Sequence, residues 1–175
     1  MKLAVPVYIE LRSPKDAESS HFARPLFFPE PRAEHFRLES ALSRLARELG
    51  RSLRELGRES RQGALADYAF SPETAEKRLD FLVELKRRPA RLNLLVVSFK
   101  ALGGRVAFFP ALPELRFWVE KESALAARAA LILQEHLREG ERGGFEAPPG
   151  WPECLSLTGK AWVALLELPI APAQR

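Results

Sequence analysis

A segment of this chain comes back 83 residues later. Glu39-Ser40-Ala41-Leu42 returns as Glu122-Ser123-Ala124-Leu125, and Leu82-Val83-Glu84-Leu85 returns as Leu165-Leu166-Glu167-Leu168, both at a shift of 83. Gly57 and Lys77 recur as Gly140 and Lys160 at that same shift, and Phe27-Phe28-Pro29 recurs as Phe108-Phe109-Pro110 at a shift of 81. A loop between a strand and a helix absorbs such a two-residue slip. An echo of this kind constrains the fold more than any composition does: the 175 residues read as one structural unit used twice, over 1–88 and 89–175.

Within the first unit, Leu3 to Leu11 alternates around Val5, Val7 and Ile9, and the aromatic-rich stretch Phe22 to Phe28 completes a hairpin. A short strand around His35 to Leu38 leads into a helix over 39–58, whose Leu38, Leu42, Leu45, Leu49, Leu53 and Leu56 recur at helical spacing. A fourth strand runs from Lys77 to Lys86. The second unit repeats the plan. Strands at Leu92 to Lys100, Arg105 to Pro110 and Leu115 to Glu120 precede a helix over 121–139, and a last strand runs from Lys160 to Leu168. The expected fold class is therefore α+β: two tandem βββαβ repeats, each an antiparallel sheet covered by one long helix, forming an intrachain pseudo-dimer.

Bulk properties narrow the function classes. Hydrophobic residues make up 46% and charged residues 29%, enough apolar material for a real core. No apolar run approaches the roughly 20 residues that a membrane-crossing helix needs, so the expectation is a cytoplasmic protein with no membrane partner. Cys154 is the only cysteine, which excludes an internal disulfide and a cysteine-built metal cage. The net charge of +4 arises from 20 Arg and 7 Lys against 20 Glu and 3 Asp. So modest an excess does not by itself point to nucleic acid.

The stretch Val106-Ala107-Phe108-Phe109-Pro110-Ala111-Leu112-Pro113-Glu114-Leu115, followed by a strand and by Glu122-Ser123-Ala124-Leu125 opening a helix, resembles the HicB-like antitoxin domain. That family has a βββαβ, partial ribonuclease-H-like fold, with a "PELPG" segment after the second strand and a "T-x-x-E-A" helix opening. Here the glycine after Pro113-Glu114-Leu115 and the threonine of the helix opening are absent, so the likeness is to the pattern. In the first unit, Arg24-Pro25-Leu26-Phe27-Phe28-Pro29-Glu30-Pro31 stands in the equivalent place. HicB antitoxins usually add a DNA-binding module, for which the two units leave no room in these residues. The Arg24 to Pro29 stretch and Gly159-Lys160-Ala161-Trp162-Val163 also look like accessory domains found beside Clp-type AAA+ ATPases.

Catalytic patterns are thin. A ribonuclease-H-like centre needs several carboxylates converging on divalent metal, and the chain offers only Asp16, Asp67 and Asp80 with the strand glutamates Glu84 and Glu167. His21, His35 and His136 stand far apart in the pattern, and neither Gly103-Gly104 nor Gly143-Gly144 belongs to a phosphate-loop motif. The protein is therefore expected not to be an enzyme, and no catalytic residue, cofactor, metal or small-molecule substrate is expected.

The main polar constellation is on the first helix. Arg44, Arg47, Arg51, Arg54, Arg58 and Arg61 recur every three or four residues opposite the leucine stripe, a guanidinium ridge fit for phosphates or an acidic protein face. Glu48, Glu55 and Glu59 flank it at spacings of ordinary helix-surface pairs, and no aromatic residue falls between Arg44 and Arg61 for base stacking. The second helix is apolar: Arg128 is the single charge from Ala124 through Leu133. Its excess apolar surface is expected to be buried against the sister repeat, or else against another protein. Trp118 and Trp162 are expected in the core, and Trp151, in a Gly/Pro loop, at an interface. These features lead to a non-enzymatic protein-binding or adaptor module, with a toxin or an AAA+ ATPase as the partner the resemblances imply. The alternatives are an RNA-binding module using the arginine ridge and a degenerate hydrolase.

Overall fold

The structure is a computed structural model, and it describes residues 2–13, 18–28, 30–55, 70–84, 89–101, 103–142 and 160–169. Strands β1 (Lys2–Arg12), β2 (Ser20–Pro25) and β3 (Ala33–His35) lead into helix α1 (Leu38–Glu55) and then β4 (Thr74–Glu84). Strands β5 (Pro89–Ala101), β6 (Gly104–Phe109) and β7 (Leu112–Val119) follow. A short 3-10 turn (Glu122–Ala124), helix α2 (Leu125–Arg142) and β8 (Ala161–Pro169) complete the described elements. The fold is α+β, with two four-stranded antiparallel sheets ordered β3-β2-β1-β8 and β4-β5-β6-β7.

That order departs from the arrangement expected of two self-contained repeats. Each sheet takes its fourth strand from the other half of the sequence: β8 pairs with β1, and β4 pairs with β5. The compact units accordingly comprise residues 1–71 with 161–175, and residues 72–160, so the division at 88/89 falls inside the second unit. Loop length supplies the physical reason for the β4 pairing. Glu84 lies opposite Pro89, so only residues 85–88 separate the two strands, and strands joined that closely pair as an antiparallel hairpin.

In the first unit, Leu3, Val5, Val7 and Ile9 fall on one face of β1, because side chains alternate along a strand. They form a core with Ala23, Ala33, Leu168 and the α1 residues Leu45 and Leu49, with Leu38 and Leu42 packed beside it. The leucine stripe read from the sequence is thus the buried face of α1. Pro6 sits in β1, a central strand, where a proline ordinarily removes a ladder bond. Its carbonyl accepts the Leu26 N–H at 2.8 Å just past the end of β2, so the proline falls where the β1–β2 ladder ends.

The second unit is built on a long hairpin, with β4 and β5 in register from Thr74↔Phe99 to Glu84↔Pro89. Phe81, Val83, Leu92, Leu94, Val96, Phe109, Phe117 and Val119 form its core with Leu125, Ala129, Leu133 and Leu137 of α2. Gly103, at φ 75°, takes the left-handed conformation of the tight β5–β6 turn. One expectation fails here. Trp118 is 47% exposed rather than core, because Phe117 and Val119 on either side of it face α2 and the strand's period of two turns it the other way. On α2, Ala126, Ala127, Ala130 and Leu131 lie outside the core stripe and are exposed, Leu131 to 45%.

Candidate binding surfaces

Helix α1 carries the arginines that the sequence singled out. Arg44, Arg47 and Arg51 are exposed on the side away from the leucine core, a stripe that 100° per residue makes continuous. Arg44 is tethered, with Nη1 donating to the Glu34 carbonyl of β3 at 3.2 Å, and Arg51 pairs with Glu48 at 3.0 Å. The side chain of Arg54 lies outside the described residues, as do Arg58, Arg61 and Trp151. The structure therefore brings together three of the six ridge arginines, one of them already in the predicted pair with a flanking glutamate. Exposed i,i+3 pairs of that kind contribute only about 0.3–0.5 kcal/mol, so Glu48 holds Arg51 loosely.

A group near the start of α1 was not legible as one. His21 on β2 lies directly opposite His35 on β3, although the two are 14 positions apart in the chain. The Arg37 N–H donates to His35 Nδ1 at 3.0 Å, which makes that nitrogen the acceptor and leaves the proton on Nε2. His21 Nδ1 is 3.1 Å from the Phe36 carbonyl and so acts as the donor. The exposed Phe36 ring stacks on His35 at 4.2 Å between centroids, and the Arg37 guanidinium stands 5.4 Å from its centre. An aromatic side chain is thus present at the root of the arginine stripe, outside the Arg44 to Arg61 window in which the sequence lacks one. His136 is separate, with Nε2 3.7 Å from Glu114 on the edge strand β7.

The face of the first sheet turned away from α1 carries a polar array. Tyr8, Glu10 and Arg12 alternate along β1 with the core residues, and Arg24 and Phe22 stand opposite Tyr8 and Glu10 on β2. Glu10 is only 2% exposed, and Tyr8 and Arg24 are also buried. Arg12 bridges Glu10 at 3.4 Å and Glu34 at 3.2 Å and lies 3.8 Å over the Phe22 ring, while Ser20 donates to the other oxygen of Glu34. Burial pushes the Tyr8 hydroxyl well above its usual range; the charge of Glu10 and a hydrogen bond to it push the same way, and Arg24 and Arg12 push back. Tyr8 therefore keeps its proton and serves as a donor to Glu10, not as a base. The signal for this array was the strict alternation Tyr8, Glu10, Arg12 within an otherwise apolar strand.

Among the described residues no group of three or more His, Cys, Asp or Glu side chains is placed to hold a metal ion. Glu167 is exposed on β8, and the side chain of Glu84 lies outside the described residues. No described helix is long and apolar enough to cross a membrane. Comparison with protein-family models, with curated proteins and with solved structures finds no match to this chain.

Proposed function

We propose that this protein is a non-enzymatic binding module made of two HicB-like βββαβ repeats whose last strands are exchanged, and that it recognises another protein. The observation that carries the reading is the outer surface of α2. Ala126, Ala127, Ala130 and Leu131 lie exposed on a helix whose opposite stripe already fills the core, so this apolar surface is available to a partner. Small residues let a second element approach closely, and Leu131 supplies an anchor for a pocket. The resemblance to antitoxins and to Clp-associated domains gives the partner class: a toxin, or an AAA+ ATPase, in a bacterial toxin–antitoxin, conflict or quality-control system. The recurrence of three strands, a helix and a strand in each half of the chain supports the duplication.

Charge reversal tests this reading. The tagged protein captures its partner from a lysate of the native host; Leu131→Asp abolishes capture, and Arg44→Glu, Arg47→Glu and Arg51→Glu together leave it intact. Apolar docking also makes capture depend little on salt. Loss of capture in the triple variant, with Leu131→Asp unaffected, contradicts it.

RNA binding along α1 is the second reading, and the exposed Phe36 beside Arg37 favours it. It predicts affinity for single-stranded RNA that falls steeply with salt, with a log–log slope of about −0.7 per phosphate contacted.

A further inference from the structure

At one end of the second unit's sheet, Pro72, Glu73, Thr74, Ala75, Lys100 and Arg105 line a hollow of about 320 Å³. Register places its two cations together: Lys100 on β5 lies directly opposite Arg105 on β6. Like charges across a ladder weaken a sheet unless an anion lies between them. Among the described residues neither cation forms an ion pair, and Glu73, on the same lining, is beyond ion-pair distance of both. Arg105 is nonetheless held in place. Its Nε donates to Ser98 Oγ at 3.1 Å and its Nη2 to the Ser98 carbonyl at 3.3 Å, and Ser98 is buried.

We propose that this hollow binds a phosphate group, either free or as the phosphomonoester of a small molecule. Two neighbouring cations, one of them anchored, suit a phosphate carrying nearly two negative charges better than a single carboxylate. The remaining donors of the anchored Arg105 fork match the spacing of phosphate oxygens, and Lys100 adds a compact charge across the ladder. A hollow of about 320 Å³ sits at the lower end of the roughly 300–1,000 Å³ of small-molecule sites, so it has room for more than the phosphate alone. This departs from the expectation that no small-molecule substrate binds, and it is independent of the protein-docking surface on α2.

The test is an NMR titration of the full-length protein with sodium phosphate and, separately, with ribose 5-phosphate, at constant ionic strength against sodium chloride. Saturable shifts confined to amides of residues 73–75, 98–101 and 103–105 are expected, weakened about tenfold in Lys100→Gln, a change at an exposed position that leaves the sheet intact. Arg105→Gln removes binding but also releases Ser98, so Lys100→Gln is the deciding variant. Tighter binding of ribose 5-phosphate identifies a phosphomonoester as the ligand; equal binding identifies free phosphate. Shifts that do not saturate, that chloride reproduces, or that survive unchanged in Lys100→Gln overturn the proposal.

Discussion

Trp118 lies across Gly104. A Cβ built on Gly104 would stand 2.7 Å from the Trp118 ring and 2.5 Å from the Val119 carbonyl oxygen, closer than real atoms approach. The indole on the edge strand β7 therefore keeps its place only because β6 presents no side chain there.

Gly104→Ala accordingly displaces Trp118 and the end of β7, at a cost of about 1–3 kcal/mol, the usual range for overpacking. Chemical denaturation measures the loss, and Trp118 fluorescence, read in a Trp151→Phe, Trp162→Phe background, reports the displacement. Gly103→Ala next to it, with open space around its Cβ but a positive φ, costs about 1–2 kcal/mol without moving the indole.

Tyr8 gives the protein an alkaline limit. Its folded-state pKa is raised above the unfolded value of 10.0 by burial and by Glu10, so its contribution is fully present below pH 10 and is lost as pH climbs above that value. The chain has two tyrosines, Tyr8 and Tyr68. In a Tyr68→Phe variant, phenolate absorbance should therefore rise only as the protein unfolds, with the two transitions coincident. Phenolate appearing near pH 10 in the folded protein contradicts the burial of Tyr8. Glu10→Ala leaves the buried Tyr8 hydroxyl without its carboxylate while Arg12 keeps Glu34, and costs about 1–3 kcal/mol, the range for a buried polar group left unsatisfied.

Strand exchange is open to a covalent test. Ala4 and Glu167 are exposed and directly opposite each other on β1 and β8, which places their Cβ atoms about 5 Å apart. Ala4→Cys with Glu167→Cys, in a Cys154→Ser background, is expected to form a disulfide on mild oxidation, seen as a mobility shift on a non-reducing gel. A sheet in which the last strand stays with its own half leaves both thiols free.

Much of this arrangement was readable in the sequence. Leucines at helical spacing identified the buried face of α1, and alternation around Val5, Val7 and Ile9 identified the inner face of β1. Strand partners were harder, because a repeat gives β4 and β8 the same pattern and periodicity does not say which sheet each one joins. The short β4–β5 connection carried that information. His21 and His35 were unreadable as neighbours for a related reason: their proximity comes from the β2–β3 register, not from sequence spacing. Size and apolarity alone put Trp118 in the core, whereas Phe117 and Val119 at odd positions of the same strand reserve the inner face.

Site-specific photo-crosslinking tests the protein-docking account most directly. A benzophenone amino acid is placed at Leu131 in one variant and at Arg47 in another, and each is irradiated in native-host lysate. The account predicts one protein species crosslinked from position 131, displaced by excess unlabelled wild-type chain but not by Leu131→Asp, and no nucleic acid from position 47. RNA crosslinked from position 47 with nothing specific from 131 would contradict it and establish the arginine stripe of α1 as the working surface.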